Sequence, residues 1–76
     1  MHNPLKIVAI WDDEAQVWVA ESDDVPGLVA EAESIPALLT KLKALIPEIL
    51  AENGDEQPAG TEIPFELAAS IRAVAM

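Results

Sequence analysis

The chain has 76 residues, enough for one small domain whose core removes only about 60% of the unfolded surface from water, so support from another surface is expected. With no cysteine and His2 as its only histidine, disulfides, thiolate metal sites and histidine-rich zinc sites are excluded. Fourteen acidic against four basic side chains give a formal charge of -10, which disfavours direct nucleic-acid or anionic-membrane binding and favours a basic protein partner.

Acidity at this level often accompanies disorder, but 51% of the residues are apolar and the chain is expected to fold. Thirteen of these are alanines, and the only aromatic residues are Trp11, Trp18 and Phe65, which makes for a thin core. Leu5 to Trp11 (LKIVAIW) reads as a strand. Both of its parities are mostly apolar, which fits a central strand covered on both faces. Asp12-Asp13-Glu14-Ala15 supplies a four-residue turn, and Gln16 to Glu21 is the returning antiparallel strand. Pro26-Gly27 turns the chain after Ser22 to Val25. Leu28 to Glu33 is a third, edge strand with Glu31 and Glu33 on its wet side.

Ser34 is placed to cap a helix, and Pro36 is tolerated in its first turn. Ile35, Leu38, Leu39, Leu42, Leu45, Ile46, Ile49 and Leu50 recur at spacings of three and four and share one helix face. Pro47 lacks an N–H and should bend the helix near residue 43, but the apolar stripe continues in phase, so one bent helix is expected. Asn53-Gly54 ends it with glycine at the left-handed cap. After a connector from Asp55 to Thr61, apolar residues from Ile63 to Ala75 recur at every second position and form a last, long strand. The expected fold is α+β, in the order β-β-β-α-β: an antiparallel three-stranded sheet plus a fourth strand, with one helix packed on one face and a single domain over residues 1–76. One helix can cover one sheet face only. The other is expected to carry Val8, Ile10, Trp18 and Val74, an uncovered patch of the kind that marks an interaction surface. No stretch is long enough for a membrane span, and Leu5 to Trp11 is too short and too charged for a secretory segment, so a cytoplasmic location is expected.

Chemistry is sparsely represented. Two-metal nuclease chemistry needs several carboxylates converging from neighbouring strands and the helix. The first strand instead has Val8-Ala9-Ile10 at its middle and the last strand Ala68-Ala69-Ser70, leaving Asp12 without assignable partners. His2 has no orienting partner. No enzyme, no metal and no cofactor are expected. The clusters Asp12-Asp13-Glu14 and Asp23-Asp24 are either solvated turns or the complement of a cationic partner surface. Trp11 and Trp18 face each other across the first hairpin. Trp11 reads as core, and Trp18 as either core or an interface anchor.

Ile7-Val8-Ala9-Ile10-Trp11-Asp12, Val17-Trp18-Val19-Ala20-Glu21-Ser22 and Asp24-Val25-Pro26-Gly27-Leu28-Val29 together resemble the HicB-like antitoxin domain, in its small branch with tryptophan in the first hairpin. The resemblance spans roughly residues 5–53. It implies a partial ribonuclease-H-like fold and a protein that neutralises a small basic mRNA-interferase toxin of the HicA type by occluding it. It also implies a homo-dimer or higher oligomer. Partner-binding residues are then expected at Asp12, Asp13, Glu14, Trp18, Asp23 and Asp24. Two features depart from that family: the helix opens with Ser34-Ile35-Pro36-Ala37, and no helix-turn-helix or ribbon-helix-helix segment follows the last strand, so operator binding by this chain is not expected. The other reading is an orphan self-assembling structural or ligand-sensing domain without a toxin partner.

Overall fold

The computed structural model describes residues 4–55 and 57–76; His2 and one position of the connector lie outside them. The elements are β1 (Leu5–Asp12), β2 (Val17–Glu21), β3 (Val29–Ala32), α1 (Ile35–Glu52) and β4 (Phe65–Ser70). They make an α+β fold with one mixed sheet in the order β3-β2-β1-β4. β1 pairs antiparallel with β2, and β2 with β3, whereas β4 returns to run parallel to β1. β1 is therefore an interior strand, with β3 and β4 as the two edges.

Each connection follows from local chemistry. Asp12 pairs with Val17, so the first hairpin closes over four residues, one position later than expected. Asp12 Oδ1 accepts from the Glu14 and Ala15 N–H groups, and Gln16 closes the loop in the left-handed region at φ 57°. Between β2 and β3, Val25-Pro26-Gly27-Leu28 is a type II turn: the Leu28 N–H reaches the Val25 carbonyl at 3.1 Å, and Gly27 has φ 88°. Ser34 caps α1 by accepting the Ala37 N–H at 3.2 Å. The helix runs as one element through Pro47. At its other end the Asp55 N–H reaches the Leu50 carbonyl and the Gly54 N–H the Ala51 carbonyl, a Schellman motif with Gly54 at φ 85°. The Asn53 side chain then donates to the Pro26 carbonyl at 2.8 Å, fastening the helix end to the turn before β3.

Core packing rests on small residues. Ala30, Ala20, Ala9 and Ala69 stand directly opposite one another across all four strands, and cross-strand partners share a face. This row forms a shallow trough. The buried stripe Leu38, Leu42, Ile46 and Leu50 of α1 fills it, with Ile7, Val25, Leu28 and Ala32 completing the core. The helix lies over β3 and β2, so Ala69 on β4 remains exposed at the far end of the row.

Three expectations are corrected. Trp18 does not lie on the uncovered face: the four-residue loop sets Trp18 opposite Trp11 and Ala32, on the helix side with Ala20. β1 is interior but covered on one face only, since Val8 and Ile10 are 41% and 50% exposed. The last strand is half the expected length. Its pairing with β1 runs from Phe65 to Ser70, and residues 71–76, Val74 included, lie outside the sheet and are exposed. Alternation had marked the whole stretch as able to pair, but only its first half has a neighbour.

Candidate functional site

The helix-free face of the sheet follows directly from strand parity. Val8 and Ile10 of β1, Val17 and Val19 of β2, Val29 and Glu31 of β3, and Glu66, Ala68 and Ser70 of β4 all point to it. In register, Val8 lies between Ala68 and Glu21, and Ile10 between Ser70 and Val19, so an apolar strip runs along the middle of the sheet. Glu21, Glu31, Glu66 and Asp12 rim it. Lys6, which shares a row with Glu66, is the one cation on the strand positions of this face.

The acidic clusters occupy the two ends of this strip. Asp12, Asp13 and Glu14 sit in the β1–β2 hairpin, and Asp23 and Asp24 in the β2–β3 loop, beside Lys6 at the opposite end of β1. Lys6 and Asp12 are separated by roughly 20 Å at the usual strand rise. The structure thus gathers Asp12, Asp13, Glu14 and Trp18 at one end and Asp23 with Asp24 at the other, and does not bring all six together.

Asp12 and Asp24 also hold the backbone, and Asp13 holds two side chains of its hairpin. Asp12 closes its turn as described. Asp13 Oδ1 accepts from Trp11 Nε1 at 3.3 Å and from Gln16 Nε2 at 3.2 Å. Asp24 Oδ2 accepts the Lys6 N–H at 2.8 Å, while Ser22 Oγ donates to the Lys6 carbonyl at 2.6 Å and accepts the Asp24 N–H at 3.0 Å. This Ser22–Asp24 latch continues the β1–β2 ladder with side chains where the strands part. All five acidic residues remain exposed, with free acceptor capacity towards a partner. Trp11 and Trp18 pack edge to face with centroids 5.4 Å apart and an interplanar angle of 62°. Trp18 is half-buried against the core on the helix side of the sheet.

Strand pairing also identifies residues that charge and aromaticity did not single out: Val19 and Val29 belong to the open face as much as Val8 and Ile10 do. Among the described residues, no group of three or more His, Asp or Glu side chains converges in a way that could hold a metal ion. No helix of the described residues is long and apolar enough to cross a membrane.

A solved structure shares this arrangement. A crystal structure of the hypothetical protein TTHA1013 from the extremely thermophilic bacterium Thermus thermophilus is similar to this chain, at 47% identity and a TM-score of 0.71, covering 97% of this chain and 99% of that one. No curated protein matches at a significant level. The family model described as "Domain of unknown function (DUF1902)" matches residues 4–76, and the chain belongs to that family.

Proposed function

We propose that this chain is a HicB-like, antitoxin-type binding module that captures a small basic mRNA interferase of the HicA type and neutralises it by occlusion. The observation that carries this reading is the open sheet face: Val8 and Ile10 lie bare in the middle of the sheet, with carboxylates at both ends of the strip. A contiguous apolar strip on a small protein is a site for association. An acidic frame selects a cationic partner, speeds encounter and fixes register, while the apolar centre supplies most of the affinity. In this complex Asp12, Asp13 and Glu14 pair with cations at one end of the strip and Asp23 and Asp24 at the other. Trp18, on the helix side of the sheet, contributes only from the hairpin end, outside the apolar strip itself. The chain performs no chemistry of its own, and it acts in the cytoplasm where the toxin meets mRNA.

The test is to titrate the purified chain with the HicA-type protein encoded beside its gene and to measure heat release and mRNA cleavage together. Stoichiometric binding with loss of cleavage is the expected result. Ile10→Lys, which places a cation in the apolar strip without touching the core, should weaken both. Absence of such a neighbour, or a neighbour that neither binds nor is inhibited, overturns the proposal in favour of an orphan self-assembling domain.

A further inference from the structure

A second surface is unfinished in a different way. β4 is an edge strand, paired on one side only, and the chain continues past it as six exposed residues, Ile71-Arg72-Ala73-Val74-Ala75-Met76. Ile71 and Val74 are 62% and 85% exposed. The radius of gyration is 13.6 Å and the longest dimension 51 Å, whereas a compact domain of this length has a radius near 11 Å. Exposed edges of this kind template pairing with another chain unless they are short, bulged, charged or interrupted by proline. From Phe65 to Met76 there is no proline, no bulge in the pairing with β1, and one residue of each charge, Glu66 and Arg72.

The geometry of β4 fixes what can add to it. The Leu5 N–H donates to the Pro64 carbonyl, so the even-numbered residues of β4 aim their main-chain groups at β1. Phe65, Leu67 and Ala69 therefore aim theirs at the free edge, as do Ile71 and Ala73 if the strand is continued. A second copy related by a two-fold axis normal to the sheet must pair odd residues with odd residues, antiparallel, and keep the faces aligned. Several registers satisfy this. Only the one centred on Ala69 sets Glu66 opposite Arg72 of the other copy, and by symmetry Arg72 opposite Glu66. The same register sets Leu67 against Ile71 on the helix side and Ala68 against Ser70 on the open side. Shifting by one step in the other direction leaves Glu66 facing Val74 and Arg72 facing Ala68.

We propose that two copies of this chain join edge to edge through residues 65–73, antiparallel about Ala69, forming one continuous eight-stranded sheet closed by a pair of Glu66–Arg72 contacts. Roughly ten new main-chain hydrogen bonds form along such a ladder. Glu66 and Arg72 meet at non-hydrogen-bonded positions, where Cα atoms approach to about 4.5 Å and side chains interact most closely. Local neutralisation matters here because each copy carries a net charge of -10 and the two would otherwise repel. Arg72, the only arginine of the chain, then lies in line with Glu66 of the other copy and that copy's Lys6, a row of alternating sign. Both open faces end on the same side of the joined sheet. The dimer does not depend on the basic partner proposed above, which docks on a different surface.

Sedimentation velocity over a micromolar concentration series tests this with the full chain. The parent protein should sediment as a dimer. Arg72→Glu sets two carboxylates opposite each other twice over and should raise the dissociation constant at least about tenfold; Glu66→Arg should do the same. The double variant Glu66→Arg/Arg72→Glu should restore dimerisation, because both contacts are rebuilt with the signs exchanged. Both positions of change, Glu66 in β4 and Arg72 in the segment after it, are exposed, and unchanged circular dichroism verifies the fold. A register readout comes from cysteine, which the chain lacks: mixing Ala68→Cys with Ser70→Cys chains under oxidation should give the mixed disulfide. A parent that stays monomeric, single variants that leave the dimer intact, a double variant without recovery, or Ser70→Cys chains that cross-link mainly to themselves would each overturn the proposal.

Discussion

Replacing Ala20 by leucine probes the seat of the helix. Ala20 is fully buried, flanked in register by Ala9 and Ala30, and lies beneath α1. A leucine adds three carbons at a point where the trough has no space, so either the helix lifts from β2 or the side chain takes a strained rotamer. Overpacking of this kind costs about 1–3 kcal/mol. A domain of this length has a total stability of roughly 4–11 kcal/mol, so the change removes a large share of it. At about 4–8 °C per kcal/mol, the melting temperature should fall by about 4–24 °C. Thermal and urea unfolding followed by circular dichroism, at one fixed protein concentration so that association does not enter, gives the measurement. Val29→Leu on the open face of β3 is the control: it enlarges an exposed side chain and should stay within about 0.5 kcal/mol of the parent. If Ala20→Leu melts with the parent, or the control falls equally far, the alanine row is not what seats the helix.

The remaining predictions concern single contacts. Gly27→Ala meets no neighbour within 4 Å but must hold φ 88°, so it should lower stability by about 1–2 kcal/mol through the backbone alone. Asp24→Ala should cost about 1 kcal/mol by stripping the Lys6 N–H of its acceptor, while Asp24→Asn retains a side-chain carbonyl and should recover most of it; urea midpoints at equal slope separate the two. Trp18→Ala should cost about 2 kcal/mol, less than a fully buried tryptophan because the ring is half-buried, and should abolish the exciton couplet expected from the edge-to-face pair in far-ultraviolet circular dichroism. A couplet that survives would mean that the two rings do not meet.

Much of the fold was legible because particular residues permitted a single reading. Ser34, the leucine spacing and Asn53-Gly54 delimit one helix, and the alternation Ala30-Glu31-Ala32 assigns the faces of β3 without ambiguity. β1 and β2 are different, because both of their parities are apolar. Hydrophobicity cannot then say which side meets the helix, and Trp18 was drawn to the wrong face. The decisive signal was residue size: Ala9, Ala20, Ala30 and Ala32 mark the side where a helix must approach closely, and the large Val8, Ile10 and Val19 mark the other. The ends of β4 were illegible for another reason, since alternation describes a segment's fitness for a sheet and not the presence of a neighbour. Of the candidate site, the acidic turns and the existence of a bare apolar face could be read in advance. That Asp12 and Asp24 also bind the backbone, and Asp13 the side chains of Trp11 and Gln16, depends on loop geometry, which composition does not encode.

The Asn53–Pro26 clasp has a bearing on how the molecule comes together. It closes β2, β3 and α1 into a unit whose pairings are all near in sequence, whereas Leu5 must find Phe65 across nearly the whole chain. Contacts of such separation form late, since the entropy of closing the long loop has to be met before they contribute. β4 is thus the last strand to find its place, and until it does the flank of β1 stays open, where a neighbouring chain's β4 could pair just as well.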